Sequence, residues 1–222
     1  MALYSLESVH SPQRVAGNPV AVDTSYLIAL SNPRHLFFNS VNTFHAQAQA
    51  NGTEFVISVV VRQEFIKMVR KSLFADAMNN LASSDNAIYL RYQSILRQTP
   101  TSARLADNCE KIVKDHVRRG DTSVILNAVN TDIWQEVQRL EAQAGMYYMS
   151  GTWASSWDDL GMLMQATGIA APDGMIANMA LSLALDAIVT TDCDYACISS
   201  IVDVYMPLTV ALSCKAYDAT ND

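Results

Sequence analysis

Acidic residues stand at the ends of apolar runs and in the first turns of predicted helices, where several carboxylates can act together. They come from four separate segments of the chain: Asp23, Glu64, Asp173, and the pair Asp192 and Asp194. Because the carboxyl ends of parallel strands meet at one edge of a sheet, we expect these side chains to gather there. Crowded carboxylates repel one another, so removing one should raise the melting temperature in metal-free buffer. A divalent cation would relieve this repulsion, and such oxygen ligands suit Mg²⁺ or Mn²⁺.

Each of these acids also has an ordinary structural explanation. Asp23 can cap the helix that follows it, since aspartate is a strong N-cap residue. Asp173 follows a proline and can interact favourably with the dipole of its helix. Asp192 and Asp194 are common turn formers, and Glu64 alone is typical of a helix surface. The structural explanation is favoured for any single acid, but it does not explain why acids from four segments fall at one edge.

The elements that must position these acids alternate along the chain. Short apolar runs predict four strands, over 19–22, 55–58, 187–190 and 202–206. Segments with helical spacing separate them, which predicts an α/β fold with a parallel sheet covered on both faces by helices. We expect a tail over residues 1–18, a single domain over 19–222, and a helical insertion at about 76–150.

Composition excludes several classes of protein. The 222 residues are 50% hydrophobic and 17% charged, which excludes intrinsic disorder. The net charge of -7 argues against a passive nucleic-acid coat protein. No uninterrupted run of about 20 apolar residues occurs, so we expect no membrane partner. The first residues lack the pattern of an export signal and the cysteines form no CxxC pair, which predicts reduced thiols and a cytoplasmic protein.

Basic residues are concentrated in the segment 62–119. This segment holds eleven basic and six acidic residues, a net charge of +5, whereas the rest of the chain has a net charge of -12. Solvated helix faces are the simpler explanation, and composition alone favours it. The alternative is a surface that binds a polyanion beside the acidic site.

Four segments resemble, in order, the motifs of PIN-domain ribonucleases. The first is VAVDTSYLIA, a strand that ends at Asp23, and the second is ISVVVRQEF, a strand followed by a helix with Glu64. The third is APDGMIANMA, in which Asp173 begins a helix of small and apolar residues. The fourth is DAIVTTDCDY, a strand followed by Asp192, in which Tyr195 stands where phenylalanine is usual.

This resemblance implies a PIN-like three-layer α/β sandwich that hydrolyses RNA phosphodiester bonds with Mg²⁺ or Mn²⁺. Asp23 and Asp173 would bind the metal directly, and Asp192 would bind it directly or through water. Glu64 would hold a water molecule at the metal or help to deprotonate it.

Three further residues are implied in supporting roles. Ser25 and Thr190 would orient the carboxylates or contact phosphate, and Asp194 would act as an auxiliary acid.

The acidic edge would repel RNA without help from basic residues. The candidates for phosphate contacts share the helix of Glu64 or its beginning: Arg62, Lys67, Arg70 and Lys71. Tyr89 and Tyr92 are candidates for stacking on bases, although core packing is favoured for at least one of them, and Trp134 is expected in the core or at an interface.

Several alternatives stay open at this point. The resemblance extends to toxin-type relatives, so one hypothesis is a toxin restrained by an antitoxin protein. The insertion lies outside the resemblance, and either a homodimer interface or a cap over the site would explain its apolar positions. A PIN-like module that binds RNA or protein with little catalysis is a further alternative. Another α/β phosphohydrolase is the last, although such enzymes usually carry a second aspartate where Ser25 stands.

Overall fold

The protein is represented by a computed structural model, which describes residues 1–79, 87–125, 130–143, 145–148 and 157–221. The chain divides into two compact units, one over Met1–Gln63 and Gln143–Asp222 and the other over Glu64–Ala142. The second unit therefore interrupts the first in sequence. Parts of the predicted insertion at about 76–150 lie outside the described residues.

Six strands of the described chain form one sheet in the first unit. They are β1 (Leu3–Ser5), β2 (Pro19–Val22), β3 (Glu54–Ile57), β4 (Met146–Tyr148), β5 (Ala187–Val189) and β6 (Asp203–Met206). Their order across the sheet is β1-β6-β5-β2-β3-β4, and every neighbouring pair is parallel. The predicted parallel α/β fold is confirmed.

Helices account for most of the remaining described residues. They are α1 (Ser11–Arg14), α2 (Thr24–Ser31), α3 (Phe38–Ala50), α4 (Val59–Asn79), α5 (Ala87–Gln98), α6 (Cys109–Arg118), α7 (Thr122–Ile125), α8 (Thr131–Gln143), α9 (Trp157–Thr167), α10 (Ala171–Ser182) and α11 (Leu208–Ala211). None of the helices that the structure describes is both long enough and apolar enough to cross a membrane.

The central strand β2 is buried on both faces of the sheet. Val20, Ala21 and Val22 are completely buried, and β2 pairs with β3 on one side and β5 on the other. The chain moves in one direction from β2 to β3 and in the opposite direction from β4 to β5. Right-handed crossovers then place α2 and α3 on one face and α9 and α10 on the other, which makes a three-layer sandwich.

The N-terminal segment predicted as a tail is part of this sheet. Strand β1 pairs with β6, and the rings of Tyr4 and Tyr205 stack with centroids 4.9 Å apart. Leu3 and Leu6 are buried, and the Ser11 hydroxyl donates to the Ser5 carbonyl over 2.6 Å. The segment carries no strong sequence signal because a three-residue edge strand depends on its neighbour rather than on its own pattern.

The strand β4 and the beginning of α4 also differ from the sequence-based boundaries. Residues 146–148 were predicted within a mostly helical segment, but they form an edge strand that pairs with β3. The apolar spacing of the sequence predicts a helix from Val61, but α4 begins at Val59, because the Ser58 hydroxyl accepts from the Val61 amide and so caps the first turn.

The second unit has an apolar core formed by its own helices. Phe74 of α4 packs edge-on against Tyr92 of α5, with centroids 5.4 Å apart and an interplanar angle of 73°. Tyr92 is completely buried, so it is a core residue and cannot stack on a base. The side chain of Tyr89, the other stacking candidate, lies outside the described residues.

Candidate functional site

The topology of the sheet creates a crevice between β2 and β5. From β2 the chain continues to β3 on one side, and from β5 it continues to β6 on the other side. In open parallel sheets, ligands bind beyond the carboxyl ends of two such strands, where the direction of the connections reverses. Asp23 directly follows β2, and Thr190 directly follows β5.

Asp23 is buried in this crevice and accepts hydrogen bonds on both carboxylate oxygens. Only 4% of the residue is exposed. Its Oδ2 accepts from the Ser25 amide at 3.1 Å, the Ser25 hydroxyl at 2.5 Å and the Thr190 hydroxyl at 2.9 Å. Its Oδ1 accepts from the Tyr195 hydroxyl at 3.2 Å. Asp23 is also the N-cap of α2, so the structural explanation considered for it is correct.

The two hydroxyls beside Asp23 connect it to the backbone that follows β5. Ser25 Oγ accepts from the Thr191 amide at 2.9 Å, and Thr190 Oγ1 accepts from the Asp192 amide at 2.9 Å. Each hydroxyl has a single hydrogen and donates it to Asp23 Oδ2, so their mutual separation of 3.2 Å is a contact between two acceptors. The orientation of Asp23 and the path of the chain after β5 therefore depend on each other.

Asp192 and Asp194 stand at the beginning of a short 3-10 helix, Cys193–Ile198. The Asp192 carboxylate caps this helix by accepting from the Asp194 amide at 3.0 Å. Asp192, Cys193 and Asp194 each offer a ligand atom, and these atoms lie within 4.8 Å of one another. In the part of the chain that the structure describes, this is the one group of three potential metal ligands with such spacing.

Asp173 is half-buried in the first turn of α10, immediately after Pro172. Its charge and that of Asp194 both act on the thiol of Cys197, which lies in the same 3-10 helix as Asp194. Cys197 is exposed as a residue, but partial burial of its thiol raises the pKa above the ordinary value; hydrogen bonds to the thiol oppose this shift, and the two carboxylates add to it. The thiol therefore stays protonated at neutral pH, a form that binds metals poorly.

A groove of about 790 Å³ opens along this edge of the sheet. The residues that line it include Ser25, Thr191 and Asp192 of the crevice, together with Phe37 and Thr209. Glu7 adds a second carboxylate, and the described residues that line the groove include no basic side chain. A phosphate group in this groove would therefore need a cation to balance its charge.

The structure separates the other predicted residues between the two units. Arg62 lies at the beginning of α4 in the first unit, whereas Glu64 and Lys67 lie farther along this helix in the second unit. Two further basic residues of α4 have acidic neighbours within the second unit. Arg70 Nη1 lies 3.9 Å from Glu110 Oε1, and Lys71 forms an ion pair with Asp107 that raises the pKa of the lysine.

Sequence reasoning missed the role of the Tyr195 hydroxyl. Tyr195 is completely buried, and its hydroxyl contacts Asp23, which is 172 positions away in sequence. The tyrosine itself was the available signal, because a buried tyrosine hydroxyl needs a hydrogen-bond partner. The identity of that partner could not be obtained from the local sequence.

Comparisons of the chain with models of protein families, with curated proteins and with solved structures found no match.

Proposed function

We propose that this protein is a metal-dependent endoribonuclease that hydrolyses RNA phosphodiester bonds at an acidic Mg²⁺ or Mn²⁺ centre. The observation that carries this proposal is the position of Asp23, Asp192 and Asp194 beyond the carboxyl ends of two adjacent parallel strands. The resemblance of four segments to PIN-domain ribonucleases supplies the class of reaction. An RNA substrate also agrees with the cytoplasmic location expected from the sequence.

The carboxylate oxygens near the crevice would suit a hard divalent cation, and the cluster with ligand atoms within 4.8 Å comprises Asp192, Cys193 and Asp194 without Asp23 or Asp173. Three donors occupy Asp23 Oδ2, which exhausts its capacity, whereas Asp23 Oδ1 accepts from Tyr195 and retains a lone pair for another partner. Asp192 and Asp194 add carboxylate oxygens, which Mg²⁺ and Mn²⁺ prefer as ligands. Asp173 would supply a further oxygen from the first turn of α10.

The hydrogen bonds around the site would hold these carboxylates ready for a cation. Ser25 and Thr190 fix the rotation of Asp23, so that Oδ1 and not Oδ2 is the available oxygen. The Asp194 amide holds one oxygen of Asp192 in the same way. A bound metal ion would activate a water molecule and stabilise the charge on the leaving oxygen. The hydroxyl groups of Thr191 and Thr209, which line the groove, would donate to the phosphate or ribose of the RNA.

RNA is the partner that this proposal requires. The antitoxin protein and the homodimer stay predictions of the sequence, as does the contribution of Glu64. Arg62, Lys67, Arg70 and Lys71 stay candidates for contacts with phosphate groups. Because Lys71 is paired with Asp107, it would have to exchange that partner for RNA.

Removal of divalent metal is expected to abolish RNA cleavage. A panel of structured and single-stranded RNAs would be incubated with the protein in Mn²⁺, in Mg²⁺ and in chelator, and the products would be separated by gel electrophoresis. Cleavage should stop in chelator and return when Mn²⁺ is restored, because the carboxylates alone would repel the phosphate. Cleavage that persists in chelator would contradict the proposal. Release of phosphate from small phosphoesters without RNA cleavage would favour the α/β phosphohydrolase instead.

Replacing Thr190 with valine is expected to lower both stability and cleavage. Thr190 is completely buried, and the substitution removes a donor to Asp23 and an acceptor for the Asp192 amide. We expect a loss of about 1–3 kcal/mol in the free energy of unfolding. Cleavage should fall by about 10–100-fold, the usual effect of losing a residue that orients metal ligands.

Thr53→Val is the matched control for this substitution. Thr53 is also buried in the first unit, but its hydroxyl donates to the Val15 carbonyl at 2.7 Å, away from the acids. It should lose comparable stability and keep its cleavage rate. Equal cleavage by both variants would show that Thr190 has no role beyond folding.

A further inference from the structure

A pocket of about 700 Å³ lies within the second unit, lined by residues of α4 and α8. Helix α4 contributes Ile66 and Arg70, which are separated by four positions. Helix α8 contributes Trp134 and Gln138, which have the same separation, together with Gln135. Residues four positions apart lie on one face of a helix, so each helix presents a continuous face to the pocket.

The residues that line the pocket include a buried apolar side chain and an exposed aromatic ring. Ile133 is 2% exposed, whereas the adjacent Trp134 is 42% exposed. The sequence predicted Trp134 in the core or at an interface. A large ring in a pocket, with its surface accessible, is suited to contact with a flat apolar ligand.

Arg70 brings a cation to the same pocket, and its hydrogen-bonding capacity is incompletely used. Its ion pair with Glu110 is long, at 3.9 Å, and its buried Nε has no acceptor among the described residues. A guanidinium group has five N–H donors and can either bind a phosphate or stack on an aromatic ring.

The charge of the second unit also favours an anionic ligand relative to the first. Residues 64–142 hold eleven basic and ten acidic residues, a net charge of +1, which leaves -8 for the rest of the chain. An extended polyanion therefore meets less repulsion on the second unit than on the first.

We propose that this pocket binds one unpaired nucleobase of a single-stranded RNA. The base would stack on Trp134, its edge would form hydrogen bonds with Gln135 and Gln138, and Arg70 would bind the adjoining phosphate. Each glutamine amide has two donors and an acceptor, so the pair can meet the edge of a base. The inference rests on the proposed function, because that function supplies RNA as the ligand.

Tryptophan fluorescence tests this proposal without requiring catalysis. The sequence contains three tryptophans, so the double substitution W153F/W157F leaves Trp134 as the only fluorescent one. This protein would be titrated in chelator, which keeps the RNA intact, with a short single-stranded RNA of mixed sequence. We expect quenching that saturates, and weaker binding to the same sequence in a duplex. Because substitution of Trp134 removes this reporter, the affinities of the variants would be measured from the fluorescence anisotropy of the same RNA labelled with a dye. Trp134→Ala should weaken binding by about fivefold or more, and Trp134→Phe should retain most of it.

Arg118→Ala is the matched control for Arg70→Ala. Both substitutions remove one positive charge from the second unit, but the Arg118 side chain is 79% exposed and pairs with Asp115. Binding should weaken several-fold more in Arg70→Ala than in Arg118→Ala. Gln138→Ala provides an independent arm if Trp134→Ala fails to fold, because loss of this exposed amide should reduce discrimination among RNA homopolymers.

The possible outcomes separate this proposal from the proposed function. Unchanged fluorescence at saturating RNA, with equal affinity in Trp134→Ala, would overturn the proposal that this pocket binds a nucleobase. A protein ligand would then be the alternative occupant of the pocket. RNA binding through Trp134 without cleavage in Mn²⁺ would support the pocket and overturn the nuclease. Cleavage by a protein whose Trp134 does not respond to RNA would do the reverse.

Discussion

Replacing Asp173 with asparagine is expected to lower RNA cleavage by more than about 100-fold, since losing even an outer partner of a metal ligand costs about 10–100-fold. Asparagine keeps the size of the side chain and one oxygen, but it loses the charge that attracts a cation. The fold should survive, because the interaction of a half-buried carboxylate with a helix dipole contributes at most about 2 kcal/mol. Initial cleavage rates in saturating Mn²⁺ and a melting curve in chelator would measure both effects.

Asp158→Asn is the control for this substitution. Asp158 lies in the first turn of α9, as Asp173 lies in the first turn of α10, but it is exposed. Both variants lose one negative charge near a helix N-terminus, so any general effect of charge or helix stability should be shared. We expect Asp158→Asn to cleave at the wild-type rate. Equal rates in wild type, Asp158→Asn and Asp173→Asn would remove Asp173 from the metal centre.

Among the substitutions considered, the replacement of Asp23 with alanine is expected to cause the largest decrease in the free energy of unfolding. The substitution removes the acceptor for four hydrogen bonds, three of which come from side-chain hydroxyls. Two such bonds to a charged group already contribute about 1.5–3 kcal/mol each, so the free energy of unfolding should fall by more than about 3 kcal/mol. Urea unfolding followed by circular dichroism would measure the change. Asp186→Ala, which removes an exposed aspartate just before β5, should change stability by less than about 0.5 kcal/mol.

Asp23→Asn should separate the structural role of this residue from its role at the metal. The amide oxygen can keep the contacts with Ser25 and Thr190, while the amide nitrogen donates to the Tyr195 oxygen. We expect a smaller loss of stability than in Asp23→Ala. RNA cleavage should be lost to the same extent in both variants, because each removes the charge of Asp23 from the metal centre. Crowding of the acids had predicted a higher melting temperature in metal-free buffer when one is removed. For Asp23 the hydrogen bonds reverse that expectation, and a melting temperature above wild type would contradict it.

The central strands and the adjacent acids were predictable from the sequence. A strand that is buried on both faces needs a continuous apolar run, and the runs before Asp23 and Asp192 meet that requirement without help from the rest of the chain. Because Asp23 and Asp192 come after these runs in the sequence, their positions beyond the carboxyl ends of the strands were predictable as well. The boundaries of the edge strands β1 and β4 were not predictable, because each is three residues long and is stabilised by its pairing with a neighbour.

The tertiary structure decided which groups surround the acids. Thr190 and Tyr195 reach Asp23 only because β5 lies beside β2, a pairing that joins residues more than 160 positions apart. Local sequence records the chemistry and helical or strand spacing of each side chain. The partner that satisfies a buried polar group is chosen by packing between distant segments, since burial without a partner carries a free-energy cost that only the folded chain can remove.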